Sequence, residues 1–375
     1  MIFDFLVIGG GIAGASAAYE LAAHGSVVLL ETETSTSYHT TGRSAALFTR
    51  NYGGPAVRKI NAASETFFRS PPVGFCDLPL LSPRGALTVA PPGQEATLDD
   101  LIALSEPGEE VVDISSQAAL EMVPFLRRER IARAVYEENV TDIDVATLHL
   151  SYIKGAKARG AEIHTKHPVT SLKRQAGCWL VSTPKVDFQA ATIINAAGAW
   201  ADQVGTLAGA RSIGLVPKRR SAIIVDAPTD IAVANLPCID FVGAGAYIKP
   251  EAGHLMVSPG DATPDVPHDV RPDDMDIAVL VDWLETETRV EVSRVQTSWA
   301  GLRSFVVDDA PVLGFDPEVP GFFWLAGQGG FGIMMSPTLA IETASLCTTG
   351  KLSAEIAASG LQETDLAPSR LYLPE

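Results

Sequence analysis

Cysteine is scarce in this chain. The four among 375 residues, Cys76, Cys178, Cys238 and Cys347, are scattered and form no C-x-x-C pair. They fit reduced thiols of a cytoplasmic protein better than a disulfide framework or a metal site. Long apolar runs are also missing. No stretch of about 18 apolar residues occurs, so no membrane span is expected. The first strand starts almost at once, which leaves no room for a signal peptide. Basic residues are in deficit, 28 against 45 acidic, for a net charge of −17. A balance of that sign argues against a nucleic-acid partner. The seven histidines show no metal-ligand spacing. His164 and His167 read as packing or surface residues beside a strand, and no metal is expected. Repeats and low-complexity tracts are absent. What remains is 46% hydrophobic and 19% charged. That is an ordinary soluble globular composition, long enough for about two or three domain-sized units.

Against those absences one stretch stands out. Residues 5–31 read FLVIGGGIAGASAAYELAAHGSVVLLE. Gly9, Gly11 and Gly14 form G-x-G-x-x-G between an aliphatic run, Phe5–Ile8, and an Ala-rich helix. A second apolar strand, Val27–Leu30, ends in Glu31, 20 residues after Gly11. Gly9 permits a tight turn. Gly11 lets the backbone approach a pyrophosphate, and Gly14 lets the helix lie close on the strand. The helix N-terminus, with Ile12 and Ala13 in its first turn, offers N–H groups and a partial positive charge to phosphates. Glu31 suits a ribose hydroxyl. A lone glycine fingerprint is weak, but strand, turn, helix and strand with the acid on schedule predict a bound dinucleotide.

The rest of the chain alternates in style. Residues 32–55 read as an ordered loop, and residues 91–113 as a short surface helix with exposed loops. Asp144 is placed to cap a helix that runs to about Arg159 and ends at Gly160. Short strands around Ile163–Lys166, Val169–Lys173, Trp179–Ser182 and Thr192–Asn195 read as a meander beside a doubly wound sheet. The last runs into Ala-Ala-Gly-Ala-Trp, a second glycine turn at a strand's carboxyl end, where α/β sheets bind ligands. Residues 216–300 hold β-like runs at Ser221–Val225, Ala246–Lys249, His254–Val257 and Arg289–Thr297, which predict a separate, mainly antiparallel sheet. Near the C-terminus come a strand, Phe322–Leu325, a glycine block over 327–332, and a helix from about Ser336 to Thr348. The predicted fold is α/β. A discontinuous Rossmann-like nucleotide domain covers 1–75, 140–215 and 300–375. An inserted, mainly antiparallel β substrate domain carrying helices covers 76–139 and 216–299.

Three blocks, DFLVIGGGIAGASAAYELAAHG with VVLLE, TIINAAGAWAD and PGFFWLAGQGGFGI, resemble the glycine oxidase/D-amino acid oxidase superfamily of flavoproteins. A closer similarity, to the bacterial D-arginine dehydrogenases, covers nearly the whole length. It rests on YHTTGRSAALFTRNYG, PPVGFCDLPLLSPRG, VPKRRSAIIV, YIKPEAG and WAGLRSFVVDDAPVLG. The resemblance implies non-covalent FAD and oxidation of D-amino acids to imino acids, which hydrolyse to 2-oxo acids. It also implies an electron acceptor other than oxygen, with a quinone or an electron-transfer protein as candidates. It puts Arg220 and Arg303 on the substrate carboxylate, with the Tyr247 hydroxyl beside them. Tyr52 borders the substrate on a loop, and the Gly330 carbonyl accepts from the substrate amine. Gly42, Arg43, Ser44, Ala45 and Thr49 line the flavin, and Val169 the adenine end. Ala197, Gly198, Gly330, Gly332, Ile333 and Met334 close on the cofactor.

Two departures bear on the substrate. The D-arginine enzymes have a histidine at Leu47 and a glutamate at Ala86. Loss of that glutamate removes the natural partner of a guanidinium, so neutral or apolar D-amino acids are expected to be better substrates than D-arginine. Arg50 stands where the relatives have an apolar residue, and an outward orientation is expected. Read without the resemblance, Lys218-Arg219-Arg220 is a solvated basic turn and Tyr247 a packing residue. Arg303 differs, because a charge in the apolar run WAGLRSF needs a partner, and a substrate carboxylate serves. Arginine suits that task through bidentate, charge-assisted hydrogen bonds. No general base is obvious; Tyr52, Tyr247 or solvent could relay the amine proton. Two rival readings remain. One is oxidation of a secondary amine or a 2-hydroxy acid. The other is a FAD-bearing subunit of a hetero-oligomeric dehydrogenase.

Overall fold

The computed structural model describes residues 1–372. The chain opens with β1 (Ile2–Ile8), α1 (Ile12–Leu21) and β2 (Val27–Leu30). Next come β3 (Leu47–Phe48), α2 (Pro55–Arg69), β4 (Leu81–Pro83), β5 (Ala86–Ala90) and α3 (Thr97–Ala103). Then follow β6 (Val111–Ile114), α4 (Ser116–Met122), β7 (Arg133–Glu137), β8 (Thr141–Ile143) and α5 (Val145–Ala158). The middle of the chain holds β9 (Glu162–His164), β10 (Ser171–Gln175), β11 (Cys178–Ser182), β12 (Asp187–Asn195) and α6 (Ala201–Ala208). After these come β13 (Val216–Val225), β14 (Cys238–Phe241), β15 (Tyr247–Glu251), β16 (His254–Ser258) and β17 (Thr263–Pro264). The last part holds α7 (Asp274–Glu287), β18 (Val295–Phe305), β19 (Val312–Phe315), β20 (Phe322–Ala326) and α8 (Gly332–Thr349).

Two large sheets result. In the first, β9, β2, β1, β12 and β20 run parallel, and β10, β11 and β19 attach antiparallel. Parallel strands bury both faces, which explains why β1, β2 and β20 read as unbroken apolar runs. One face packs on α1, α2, α5 and α8, and the other around Trp179 and Trp324. Of the meander expected over 163–195, β10, β11 and β12 pair antiparallel in succession beside the parallel core, whereas β9 pairs parallel with β2 at its far edge. Asp144 does cap α5, accepting from the Thr147 N–H at 2.8 Å.

The second sheet runs β17-β13-β16-β15-β14-β5-β7-β6, with β18 along the other edge of β13. It is antiparallel except between β14 and β5. One face is a closed apolar core against α4 and α7; the other looks back at the first sheet. The run expected at Arg289–Thr297 is displaced, since the strand is Val295–Phe305. Its partner β13 fixes that register, pairing Lys218 with Arg303 and Arg220 with Gly301. Helix α8 also starts earlier than expected, at Gly332 rather than Ser336.

Candidate active site

The glycines of the first turn are held by close approach. Gly9 has φ +108°, and a Cβ there would lie 2.4 Å from the Ala196 carbonyl oxygen. A Cβ on Gly14 would lie 1.9 Å from the Gly9 carbonyl oxygen, so only glycine lets α1 sit this low on β1. A Cβ on Gly11 would meet only the Thr41 hydroxyl, at 3.2 Å, and would otherwise stand in the groove. Glu31 uses its carboxylate first on the chain itself. It accepts from the Gly10 N–H at 2.7 Å and from the Glu33 N–H at 2.8 Å.

From this turn a continuous groove runs in two directions. One arm passes Glu31, Glu33, His39, Val169, Ala197, Gly198 and Trp200. The other passes Ile12, Ala13, Arg43, Ser44 and Ala45 to Arg220, Tyr247, Arg303, Gly330, Gly332 and Ile333. Gly11, Thr40 and Thr41 line both. The N-terminus of α8 opens onto the second arm and has no side-chain cap. Its N–H groups and partial positive charge therefore face the groove.

Arg220 and Arg303 stand on one face of neighbouring strands, with Lys218 directly opposite Arg303. Arg220 donates through Nε to the Asp261 carbonyl at 2.7 Å. Burial, and then the Arg303 guanidinium beside it, pull its pKa below the ordinary arginine value. Arg303 has no hydrogen bond or ion pair among the described residues. Its guanidinium lies against Gly330, where a Cβ would approach it to 3.0 Å. Two half-shielded cations side by side with spare donors form a receptor for an anion. Arg219 points elsewhere, to Asp261 at 3.3 Å and to Asp276 at 2.5 Å. Of the basic triplet, Arg219 is engaged by two carboxylates, whereas Arg220 keeps one long contact, 4.0 Å, to the Asp261 carboxylate. Tyr52 is exposed, and its ring meets the Phe331 ring edge-on at 4.9 Å, so its loop rests on the start of α8.

Three sequence-derived placements, those of Thr49, Met334 and Gly42, need correction. Thr49 does not line the groove; its hydroxyl donates to the Glu137 carboxylate on the second sheet. Met334 is buried core, since the helix turns it toward the packed side of α8. Gly42 lines a neighbouring cavity with Arg84, Asp142 and Lys249. A Cβ at Gly42 would lie 2.3 Å from the Ser37 carbonyl oxygen, so its role is a close turn. Leu47 lies in β3 opposite Asp142. Ala86 lies in β5 with Glu137 and Cys238 as its cross-strand neighbours. Arg50 is held by Glu65 at 3.4 Å and by the Pro107 carbonyl at 3.2 Å.

Other site residues carried no sequence signal. The Thr41 hydroxyl accepts from the Ile12 N–H at 2.9 Å and so caps α1 from a distant loop. His149 is buried, with Nε2 2.9 Å from the Gly10 carbonyl oxygen. A carbonyl only accepts, so Nε2 carries the proton, and burial lowers the ring's pKa and keeps it neutral. The loop over 39–45 is stitched to β18. Thr40 donates to the Leu302 carbonyl at 2.7 Å, Arg43 to the Ala300 carbonyl at 2.9 Å, and Trp299 to the Arg43 carbonyl at 3.0 Å. Asp261 accepts from the Ser221 N–H and hydroxyl at 2.6 and 2.9 Å, which fixes β13 beside Arg220.

Comparison with known proteins matches this arrangement. The family model described as FAD dependent oxidoreductase matches residues 4–346. Glycine oxidase of Geobacillus kaustophilus is 25% identical, over 98% of this chain and 96% of that protein. Its crystal structure has the same fold, with a TM-score of 0.82 at 24% identity, covering 94% and 96% of the two chains. Human mitochondrial dimethylglycine dehydrogenase is 28% identical over 68% of this chain, which spans only 30% of that protein. The fold is also that of L-alpha-glycerophosphate oxidase from Mycoplasma pneumoniae with FAD bound, with a TM-score of 0.82 at 22% identity and 94% and 96% coverage. The groove fits FAD. A Cβ-free cradle, a helix N-terminus and an acid suit its diphosphate and ribose, and the second arm leads to the paired arginines. FAD is the cofactor, bound non-covalently. Among the described residues no helix is long and apolar enough to cross a membrane, and no cluster of His, Cys, Asp and Glu could hold a metal.

Proposed function

The chain belongs to the FAD dependent oxidoreductase family, and from that premise we propose that it oxidises the Cα–N bond of an α-amino acid. D-amino acids are the first substrates to test, and the resulting imino acid hydrolyses to a 2-oxo acid. The observation that carries this reading is the pair Arg220 and Arg303 at the end of the groove, where Arg303 lacks any protein anion. Together they hold the substrate carboxylate and fix the direction of Cα–H. FAD supplies the hydride acceptor. Orientation of this kind contributes on the order of 7–11 kcal/mol at best. The Gly330 carbonyl beside Arg303 takes a hydrogen bond from the amine. The α-ammonium must lose a proton before hydride leaves, and the Tyr247 and Tyr52 hydroxyls are the nearest relays. The electron acceptor is a species other than oxygen.

A second reading has its own support. Dimethylglycine dehydrogenase, by its name, acts on a tertiary amine of glycine. The same carboxylate clamp would hold N-substituted glycines. Both readings are tested by mixing the flavoprotein anaerobically with D-amino acids, L-amino acids and N-methylated glycines. Bleaching of the flavin absorbance by D-amino acids supports the first reading, and bleaching by N-methylated glycines alone supports the second. No bleaching by any of them overturns both.

A further inference from the structure

Beyond the arginines, the same sheet face carries a carboxylate that the chemistry above does not use. In β14, Ile239 and Phe241 point into the apolar core on the far face. Side chains alternate along a strand, so Cys238 and Asp240 point the other way, toward the groove. Register confirms that placement. Asp240 sits directly opposite Tyr247 on β15, which lines the groove with Arg220. On its other side it sits opposite Thr88 of β5. Asp240 makes no hydrogen bond or ion pair among the described residues. It keeps some accessible surface yet lies deep in the protein, where burial first, and then the nearby Glu137 charge, push its carboxyl up to about 6. Its face of the sheet is the one that Tyr247 presents to the groove.

Glu137 extends the feature by one strand. It pairs with Ala86 across the β5–β7 ladder. The Thr49 hydroxyl donates to it, and the Asn51 N–H donates to Thr49 at 3.0 Å. Glu137 therefore fastens the loop that carries Tyr52. Asp240 is left as the unpartnered acid. The absence of an acid at Ala86 does not make this face neutral, because Glu137 lies opposite Ala86 and Asp240 opposite Thr88.

We propose that Asp240 is a specificity-determining residue that receives a cationic group at the far end of the substrate's side chain. The substrate class is then an α-amino acid with a basic side chain, held by its carboxylate at Arg220 and Arg303. This rests on the functional reading above. The spacing suits it. The strands of Arg220 and Asp240 are three steps apart in the sheet, roughly 14 Å at about 4.8 Å per step. An arginine reaching in from one side and a carboxylate from the other leave room for a chain of lysine length. Other groups that face Asp240 are Tyr247 and Lys249 from β15, Cys238 from its own strand and Glu137 from β7. Lys249 is already engaged, by Asp142 at 3.2 Å and Glu251 at 3.0 Å.

The test uses carboxylates that have no α-amine and so cannot be oxidised. The melting temperature of the purified flavoprotein is measured with 6-aminohexanoate and with hexanoate at matched concentrations. The expected result is that 6-aminohexanoate binds about 10–100-fold more tightly, as befits a charge-assisted hydrogen bond. In the Asp240→Asn protein that advantage disappears. In the wild type it also shrinks as pH falls from 8 to 5.5, because protonation of the carboxyl removes the charge. Equal shifts for the two ligands in the wild type overturn the proposal. So does an advantage that survives both Asp240→Asn and low pH. If neither ligand binds but amino acids bleach the flavin, Asp240 fails and the oxidation reading stands. If the amine advantage is present and no amino acid bleaches the flavin, the oxidation reading fails alone.

Discussion

The two ends of the groove are built from different material. The nucleotide end is made of backbone: Gly9, Gly11 and Gly14, the start of α1, and the turn at Ala196–Gly198. The arginine end is made of side chains borne on β13, β15 and β18. Backbone sites need atoms to be absent, and side-chain sites need charges to be held unpaired. The first kind fails by collision, the second by lost affinity.

That contrast predicts graded outcomes. The largest effect is expected at Gly14. Valine there would drive a Cβ to 1.9 Å from the Gly9 carbonyl, so α1 must lift off β1. The ratio of flavin to protein absorbance after purification should fall close to zero, and a normal ratio would break the contrast. Arg303→Ala should act differently. Flavin content stays normal while kcat/KM falls about 10–100-fold, mostly through KM, as expected for a lost charge-assisted bond. An unchanged kcat/KM removes Arg303 from the site. The smallest effect concerns stability. Burial raises the Asp240 pKa from 3.8 to about 6. The folded protein thus binds that proton more tightly than the unfolded chain does. The resulting stabilisation is full below 3.8 and is lost as pH rises through about 6. Above that, ionised Asp240 costs the fold about 1–3 kcal/mol. Asp240→Asn should raise the melting temperature at pH 8 and leave it unchanged near pH 4. Equal effects at both pH values would mean the carboxyl does not titrate in a buried setting.

The same contrast explains what could be read in the sequence. A backbone site leaves glycines at fixed spacing, so the fingerprint, Glu31 and the second glycine turn were legible before any coordinates. The break between parallel and antiparallel regions showed in the change to successive β-like runs over residues 216–300. Side-chain sites leave no spacing. Arg220 looked like one of three solvated cations, and only the pairing of β13 with β18 sets it beside Arg303. Thr41 and His149 act on Ile12 and Gly10 across long loops, which no local pattern encodes. Position-by-position comparison at Ala86 missed Glu137, because the ladder that joins them is not visible along the chain. Residues 289–294 read as a strand from composition. The structure gives the strand to 295–305, where the long partner β13 provides hydrogen bonds.

The order of strands also bears on how the protein is made. The fingerprint directly follows β1, which precedes in the chain the strands that cover it. Its neighbour β12 pairs Ile8 with Asn195, and β20 beyond that follows at Phe322–Ala326. The wall formed by Gly330, Gly332 and Ile333 is later still. A nascent chain thus carries apolar β1 open along one edge until β12 has been made. Non-local pairing of this kind is slow and exposed to aggregation. Closure of the flavin groove therefore waits on strands that lie far apart in sequence.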